Sequence, residues 1–244
     1  MRESPLNLDL WARYKGLSLI GSGDFTHPIW RQELKEKLAP TEGGLWRLKP
    51  EHKLQTGPGS SFSSEVLFVV SGEISTIYKK NGRTRKVHQL ILLPGLEEAE
   101  RLSSRLSRIG NINADGRPIL GLDSKDLLEM TLETCPEAIY IPAHIWTPHF
   151  SVLGANSGFD SLEECFEDLT GEITALETGL SSDPAMNWRL SALDKYILIS
   201  NSDAHSPANL AREANLLEID LSYEGLQKSL TDPQGGFLGT VEFF

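Results

Sequence analysis

Short apolar runs alternate with longer amphipathic stretches along most of this chain, and this alternation limits the fold more than any other feature. The apolar runs have the length of buried strands, and they predict strands at Leu17–Gly21, Val66–Ser71, Val87–Leu93, Ala138–Pro142, Ile173–Glu177, Ile197–Ser200 and Leu216–Asp220. The stretches between them have helical spacing, and they predict helices at Ile29–Leu38, Leu96–Ile109, Lys125–Thr134, Ser161–Thr170 and Pro184–Leu193. This order is typical of an α/β domain with a mainly parallel sheet, either open or closed into a barrel.

Composition excludes several classes of protein. The chain has 244 residues, which we interpret as a single domain spanning 1–244. Its two cysteines are too few for a four-cysteine zinc site. The net charge of −11 argues against a module that grips nucleic acid mainly through Lys and Arg, although bound cations can reverse a local field. We expect no membrane association, because no stretch approaches the roughly 18 apolar residues of a membrane helix, and the two cysteines, interpreted as reduced core thiols, predict a cytoplasmic location.

Polar side chains follow the ends of the predicted strands, where ligands gather in parallel α/β proteins. They are Asp24, His27, Glu73, His144, Asp203 and His205. An Asn-Gly pair at 81–82 adds His88 to this set, because it predicts a two-residue hairpin turn whose register places Ser75 opposite His88. Glu73 is then a diagonal neighbour of His88 on the same face.

These residues form a set of imidazole and carboxylate groups that suits divalent metal ions. The candidate ligands are Asp24, His27, Glu73, His88, His144, Asp203 and His205. Such a set favours two or three ions of zinc, manganese or iron, with magnesium as a further candidate. Centres of this kind hydrolyse phosphoesters. Taken singly, a histidine at a strand end is more often a hydrogen-bonded structural residue than a ligand, and Asp203 could cap a helix that begins near Pro207.

Several phrases of the chain resemble motifs of the PHP superfamily of phosphoesterases: "GSGDFTHP", "SGEIST", "KVHQLILL", "IPAHIW" and "NSDAHSP". This resemblance implies a distorted (βα)7 barrel with a metal centre at the strand ends. Three longer phrases are similar to endonuclease Q-like proteins: "IPAHIWTPHFSVLGANSGFDS", "ALETGLSSDPAMNWRLS" and "SNSDAHSPANLAREAN". The resemblance implies a metal-dependent hydrolase that nicks DNA on the 5′ side of deaminated or abasic nucleotides, with Glu73, Asp203 and His205 as its catalytic residues.

The chain departs from this family pattern at both ends. The family begins with an Asp-x-His-x-His strand, and no His-x-His is found here. The cysteine-containing zinc module and the basic region that follow in endonuclease Q-like proteins are also absent from this sequence. We therefore expect a domain truncated at both ends relative to the family, without the first barrel strand and with at least one weak or empty metal position.

Damaged DNA is the partner that the resemblance implies. A damaged base turned out of the duplex would stack on aromatic side chains, and the candidates for this role are Phe25, Trp146 and Trp188. Arg189 and Arg212 are the candidates for binding phosphate. For any one of these aromatic residues, core packing is the favoured alternative. Oligomeric state is left open.

Two other functions remain open from the sequence. One is a phosphoesterase that acts on a small phosphomonoester or an oligonucleotide end, which the acidic net charge favours. The other is an inactive fragment or scaffold that lacks a complete metal centre, which the missing His-x-His motif favours.

Overall fold

The protein is described by a computed structural model over residues 4–55, 65–113 and 116–242. Its helices are α1 (Pro5–Lys15), α2 (Pro28–Lys37), α3 (Leu96–Leu106), α4 (Ser124–Thr134), α5 (Leu162–Phe166), α6 (Pro184–Asn187) and α7 (Tyr223–Thr231). Its strands are β1 (Leu19–Gly21), β2 (Leu38–Pro40), β3 (Trp46–Leu48), β4 (Leu67–Lys80), β5 (Arg83–Leu93), β6 (Ile119–Leu120), β7 (Ile139–Pro142), β8 (Ala175–Glu177), β9 (Ile197–Ile199), β10 (Glu213–Leu217) and β11 (Phe237–Glu242).

The central sheet is built around the long strand β4. It pairs in parallel with β1 and β6 and antiparallel with β3 and β5, and β5 continues the sheet antiparallel to β7. The prediction of a mainly parallel sheet is therefore wrong. The turn at 81–82, where Asn81 and Gly82 adopt positive φ angles of 51° and 74°, folds β5 back against β4 and makes this pair antiparallel.

The register predicted for this hairpin is confirmed, because Ser75 lies opposite His88 and Glu73 opposite Leu90. A closed (βα)7 barrel is not confirmed. Within the described residues, β8–β9 and β10–β11 form separate two-stranded sheets that no ladder joins to the central one. The chain is thus a mixed α/β structure.

Several predicted boundaries differ from those of the structure. The predicted helix 184–193 ends at Asn187, because Leu190 is extended before a short 3-10 turn at Ser191–Leu193. Strand β10 lies earlier in the chain than the predicted Leu216–Asp220. Between the predicted helix Ile29–Leu38 and the predicted strand Val66–Ser71 the structure adds β2 and β3, and residues 56–64 lie outside the described part of the chain.

Hydrophobic side chains cover both faces of the central sheet. Along β5, Ile91 and Leu93 belong to one buried cluster and Leu92 to the other, as the alternation of side chains along a strand requires. The first cluster includes Leu102 of α3, and the second includes Leu226 of α7. Glu73 and His88 lie inside β4 and β5, because both strands are longer than predicted, so these two residues are not at the strand ends expected from the sequence. None of the helices in the described ranges is long and apolar enough to cross a membrane.

The hairpin turn provides a test of the fold. Gly82→Ala should lower the free energy of unfolding by about 1 kcal/mol, because an L side chain at positive φ costs roughly 1–2 kcal/mol. Urea denaturation followed by circular dichroism measures this change. Gly121→Ala is the matched control, since a Cβ there meets no atom within 4 Å and no positive φ is required. Equal stability of the two variants would contradict the role given to the turn.

Candidate metal centre

Three of the predicted ligands, Glu73, His88 and His144, come together at one point of the central sheet. Glu73 Oε1 lies 2.7 Å from His88 Nδ1 and 3.4 Å from His144 Nε2. The two imidazole nitrogens are 3.1 Å apart. Their three ligand atoms all lie within 4.8 Å of one another, and the described residues contain no second group of three or more His, Cys, Asp or Glu residues with this property.

These separations fit a metal ion. Bonds of about 2.0–2.1 Å to nitrogen and oxygen place neighbouring ligands of a tetrahedral ion roughly 3.3 Å apart. Two imidazoles and one carboxylate are also a donor set used by catalytic zinc, which keeps a further position open. The residues present therefore fit a divalent ion, and this triad could hold one.

The backbone of adjacent strands positions each member of the triad. Glu73 lies in β4 and His88 in β5, and His144 follows β7, which pairs with β5. The His144 backbone has a positive φ of 30° and donates its N–H to Glu177 Oε2 at 2.8 Å. Gly179 lies directly against it, since a Cβ built there would be 2.3 Å from His144 Cβ. The position of His144 thus depends on a buried carboxylate and on a glycine.

Electrostatics favour an ionised carboxylate at the centre. Burial opposes ionisation of Glu73, but hydrogen bonds to His144 and His88 and the charge of Arg117 outweigh it and hold its pKa well below the usual range. Burial lowers the pKa of His88 despite the neighbouring carboxylate. Burial also tends to lower the pKa of His144, but the hydrogen bond to Glu73 and the charges of Glu73 and Glu177 outweigh burial and raise this pKa.

Behind the triad lies Glu177, whose carboxylate is fully enclosed. Burial raises its pKa, and the charge of Glu73 adds to this effect. Its second oxygen accepts a hydrogen bond from Asn201 Nδ2 at 2.7 Å, and Asn201 in turn accepts one from Asn215. This chain of polar contacts connects His144 to β10, across the end of β9.

Asp203 and His205 lie at the rim of this centre. Arg117 Nη2 is 3.8 Å from Asp203 Oδ1 and 3.5 Å from His205 Nε2, and its other terminal nitrogen contacts Glu73. The His205 side chain is 71% exposed. The backbone of Asp203 has a positive φ of 43°. Both residues thus face the triad through Arg117 and do not belong to its ligand group.

Asp24 and His27 lie in the loop between β1 and α2. The loop is held by Trp30, whose Nε1 donates to the carbonyl of Gly23 at 2.8 Å. His27 caps α2, and its Nδ1 accepts the N–H of Trp30 at 3.4 Å. Asp24 has a positive φ of 42°. The structure does not bring these two residues into the triad.

The residues predicted to bind DNA have different surroundings. Phe25 is fully buried against Gly72, so the structure does not support the stacking role predicted for it. Trp146 is half-buried and donates to Asn187 at 2.7 Å. Trp188 is 67% exposed, and Arg189 beside it is also exposed. Arg212 donates to the backbone carbonyls of Ser202 and Asp203, which holds the Asp203 loop.

Sequence reasoning did not select two residues that the structure places at the centre. Glu177 is the last residue of a predicted strand, and a carboxylate at that position could have been added to the candidate residues from the sequence. Arg117 carries no such signal, because it follows a loop and precedes the very short strand β6. Phe150 also lies here, with its ring centroid 4.9 Å from that of His88.

Comparisons with known proteins identify similar chains. No protein-family model matches. The uncharacterized protein YqxK of Bacillus subtilis is 31% identical over 85% of this chain and 49% of its own length. An uncharacterized protein of Methanocaldococcus jannaschii is 27% identical over 63% of this chain and 15% of its own length.

Two solved structures share the fold. The lesion-specific endonuclease PfuEndoQ of Pyrococcus furiosus has a TM-score of 0.79 and 27% identity, over 99% of this chain and 54% of its own. Endonuclease Q in complex with a 27-mer duplex substrate, with an abasic lesion at the active site, has a TM-score of 0.74 and 28% identity, over 92% of this chain and 51% of its own. The chain spans about half the length of these two structures and of the Bacillus subtilis protein, and a smaller part of the Methanocaldococcus jannaschii protein. Its fold is endonuclease Q-like.

The contact between Gly179 and His144 gives a first prediction for the centre. Gly179→Ala should weaken zinc binding by roughly 10- to 100-fold, the usual effect of disturbing a residue that orients a ligand. Isothermal titration calorimetry measures the affinity, and thermal melts show whether the variant is folded. Gly171→Ala is the control, because a Cβ there meets nothing within 4 Å. A folded Gly179→Ala variant with unchanged zinc affinity would refute this account of His144.

A second prediction concerns pH. Burial, with the charges of Glu242 and Glu177, raises the pKa of Glu213 from 4.5 to about 7. Between these values the folded state binds more protons than the unfolded state, so the free energy of unfolding should fall as pH rises through this window. Glu213→Gln should remove that part of the fall, as measured by urea denaturation from about pH 4 to about pH 8. The control Glu129→Gln, at an exposed position of α4, should retain it.

Proposed function

We propose that this chain is a metal-dependent phosphodiester hydrolase that nicks DNA beside a deaminated or abasic nucleotide. The observation that carries the proposal is the Glu73–His88–His144 triad, with ligand atoms at metal-binding separations, in an endonuclease Q-like fold. Similarity to an endonuclease that holds an abasic lesion at its active site supports DNA as the substrate. Membership of the PHP superfamily and a cytoplasmic location belong to the same proposal.

The proposed centre takes two or three divalent ions, of zinc, manganese or iron. Such ions activate water and neutralise charge on the attacking and leaving oxygens of a phosphodiester. Glu73, His88 and His144 would hold the first ion. Asp203, His205 and Asp24 supply carboxylates and an imidazole for the others, which requires that Arg117 leave the space between Glu73 and Asp203.

The chain's own residues have distinct tasks in this proposal. Glu177 holds the His144 backbone, and Arg212 holds the loop that carries Asp203. The exposed segment after β8 presents Trp188 together with Leu180 and Met186. Exposed apolar side chains of this kind are typical of residues that contact an unstacked base or enter a base step. Arg189 in the same segment would contact phosphate.

A phosphoesterase acting on a small phosphomonoester is the second candidate. The net charge of −11 favours it, because a small substrate needs only local positive charge and no extended basic surface. Arg117 supplies one such local charge at the centre. Comparing an abasic duplex with a phosphomonoester as substrates of one preparation separates the two candidates.

Nicking of an abasic duplex with manganese supplied is the direct test. Glu73→Gln and Asp203→Asn should each lower the rate by about 100-fold or more, since loss of a ligand should exceed the 10- to 100-fold effect of losing a ligand's outer partner. A denaturing gel measures the nicked strand. Asp160→Asn, an exposed acid before α5, is the matched control and should retain activity.

Metal content measured by elemental analysis accompanies this assay. Metal-loaded chain that leaves the abasic duplex intact but cleaves a phosphomonoester would replace the first candidate by the second. Chain that holds no ion after dialysis with zinc and manganese would reject both.

A further inference from the structure

Arg117 is brought to the metal centre by strand pairing. Strand β6 runs parallel to β4 with Ile119 opposite Ser75, and Ser75 donates its N–H to the carbonyl of Pro118 at 2.9 Å. Arg117 and Glu73 each lie two residues before this pair, so the same alignment brings Arg117 beside Glu73. The side chain is 25% exposed, so much of its charge faces protein.

The guanidinium occupies the space in which the triad would bind an ion. Arg117 Nη1 lies 2.6 Å from Glu73 Oε1 and 2.7 Å from His88 Nδ1. These are two of the three ligand atoms of the triad. The guanidinium stays protonated at any ordinary pH and has no acceptor, so it can only donate at both contacts.

The contacts around His88 Nδ1 are mutually exclusive. This nitrogen is 2.7 Å from Glu73 Oε1 and 2.7 Å from Arg117 Nη1. It must carry a proton to bond to the carboxylate, and it must carry a lone pair to accept from the arginine. A divalent ion would take the single lone pair of His88 Nδ1, so Arg117 could not remain bound to that nitrogen, and at Glu73 Oε1 the two positive charges would compete for one carboxylate.

We propose that Arg117 competes with divalent ions for Glu73 and His88, and that it thereby determines the metal affinity of the centre. The inference rests on the metal centre in the proposed function, and it concerns a residue that no part of that proposal uses as a ligand. The guanidinium neutralises the buried Glu73 carboxylate and must be displaced before an ion binds. Its Nη2 also lies within 4 Å of Asp203 and His205, so the guanidinium must leave these two groups as well before they can bind a further ion.

Zinc titrations of Arg117 variants test the competition. Arg117→Gln keeps a polar side chain and removes the charge, so it should bind zinc at least about tenfold more tightly than the unmodified chain, a change of about 1.4 kcal/mol. Arg117→Lys keeps the charge and should remain close to the unmodified chain. Arg83→Gln removes one charge at the hairpin tip, five residues and about 16 Å along β5 from His88, and should leave the affinity unchanged.

The outcomes separate this inference from the proposed function. Zinc affinity that is equal in the unmodified chain and in Arg117→Gln would overturn the competition and leave the metal centre intact. Absence of zinc binding in both would overturn the competition together with the metal centre. Tighter binding in Arg117→Gln alone supports the inference.

A measurement on the unmodified chain covers the case in which Arg117→Gln does not fold. A crystal structure of the chain with zinc should show an ion on Glu73 and His88, with the guanidinium moved away from both atoms. An ion and a guanidinium bound together to Glu73 Oε1 and His88 Nδ1 would overturn the proposal.

Discussion

The antiparallel pairing of β4 with β5 is the constraint on which the candidate site depends. It places Glu73 and His88 on one face with their ligand atoms 2.7 Å apart. A shift of one residue in this register would turn one of these side chains to the opposite face of the sheet. The pairing of β5 with β7 then brings in His144, and the pairing of β4 with β6 brings in Arg117.

Burial makes this cluster chemically unusual. Glu73 and Glu177 lie close to two imidazoles and one guanidinium in a region with little solvent, where each charge depends strongly on its neighbours. The backbone is strained at His144 and, at the rim of the cluster, at Asp203, since both have positive φ angles. Non-glycine residues adopt such angles at a cost of about 1–3 kcal/mol and tend to do so at functional sites. The strain therefore supports a site around the triad.

Local patterns in the sequence predict a large part of this arrangement. They fail where the structure depends on contacts between segments that are far apart in the chain. The Asn-Gly turn predicts the register that joins Glu73 to His88, because turn geometry is a property of a few adjacent residues. The prediction of a mainly parallel sheet was wrong because periodicity indicates that a segment is a strand, but it does not indicate which strand it pairs with or in which direction. Phe25 shows a similar limit: an aromatic residue beside a predicted site was expected to face DNA, and it packs in the core against Gly72.

By itself, the sequence determined the α/β character, the hairpin and the imidazole and carboxylate groups at the strand ends. Only the tertiary structure decided which of these groups meet. It joined Glu73, His88 and His144, left His27 as a helix cap, and added Arg117 from a segment with no recognisable motif. The physical reason is that distances between side chains depend on how strands from separate parts of the chain pair. Pairing partners are selected by packing over the whole sheet, whereas a sequence pattern reports only on its own neighbourhood.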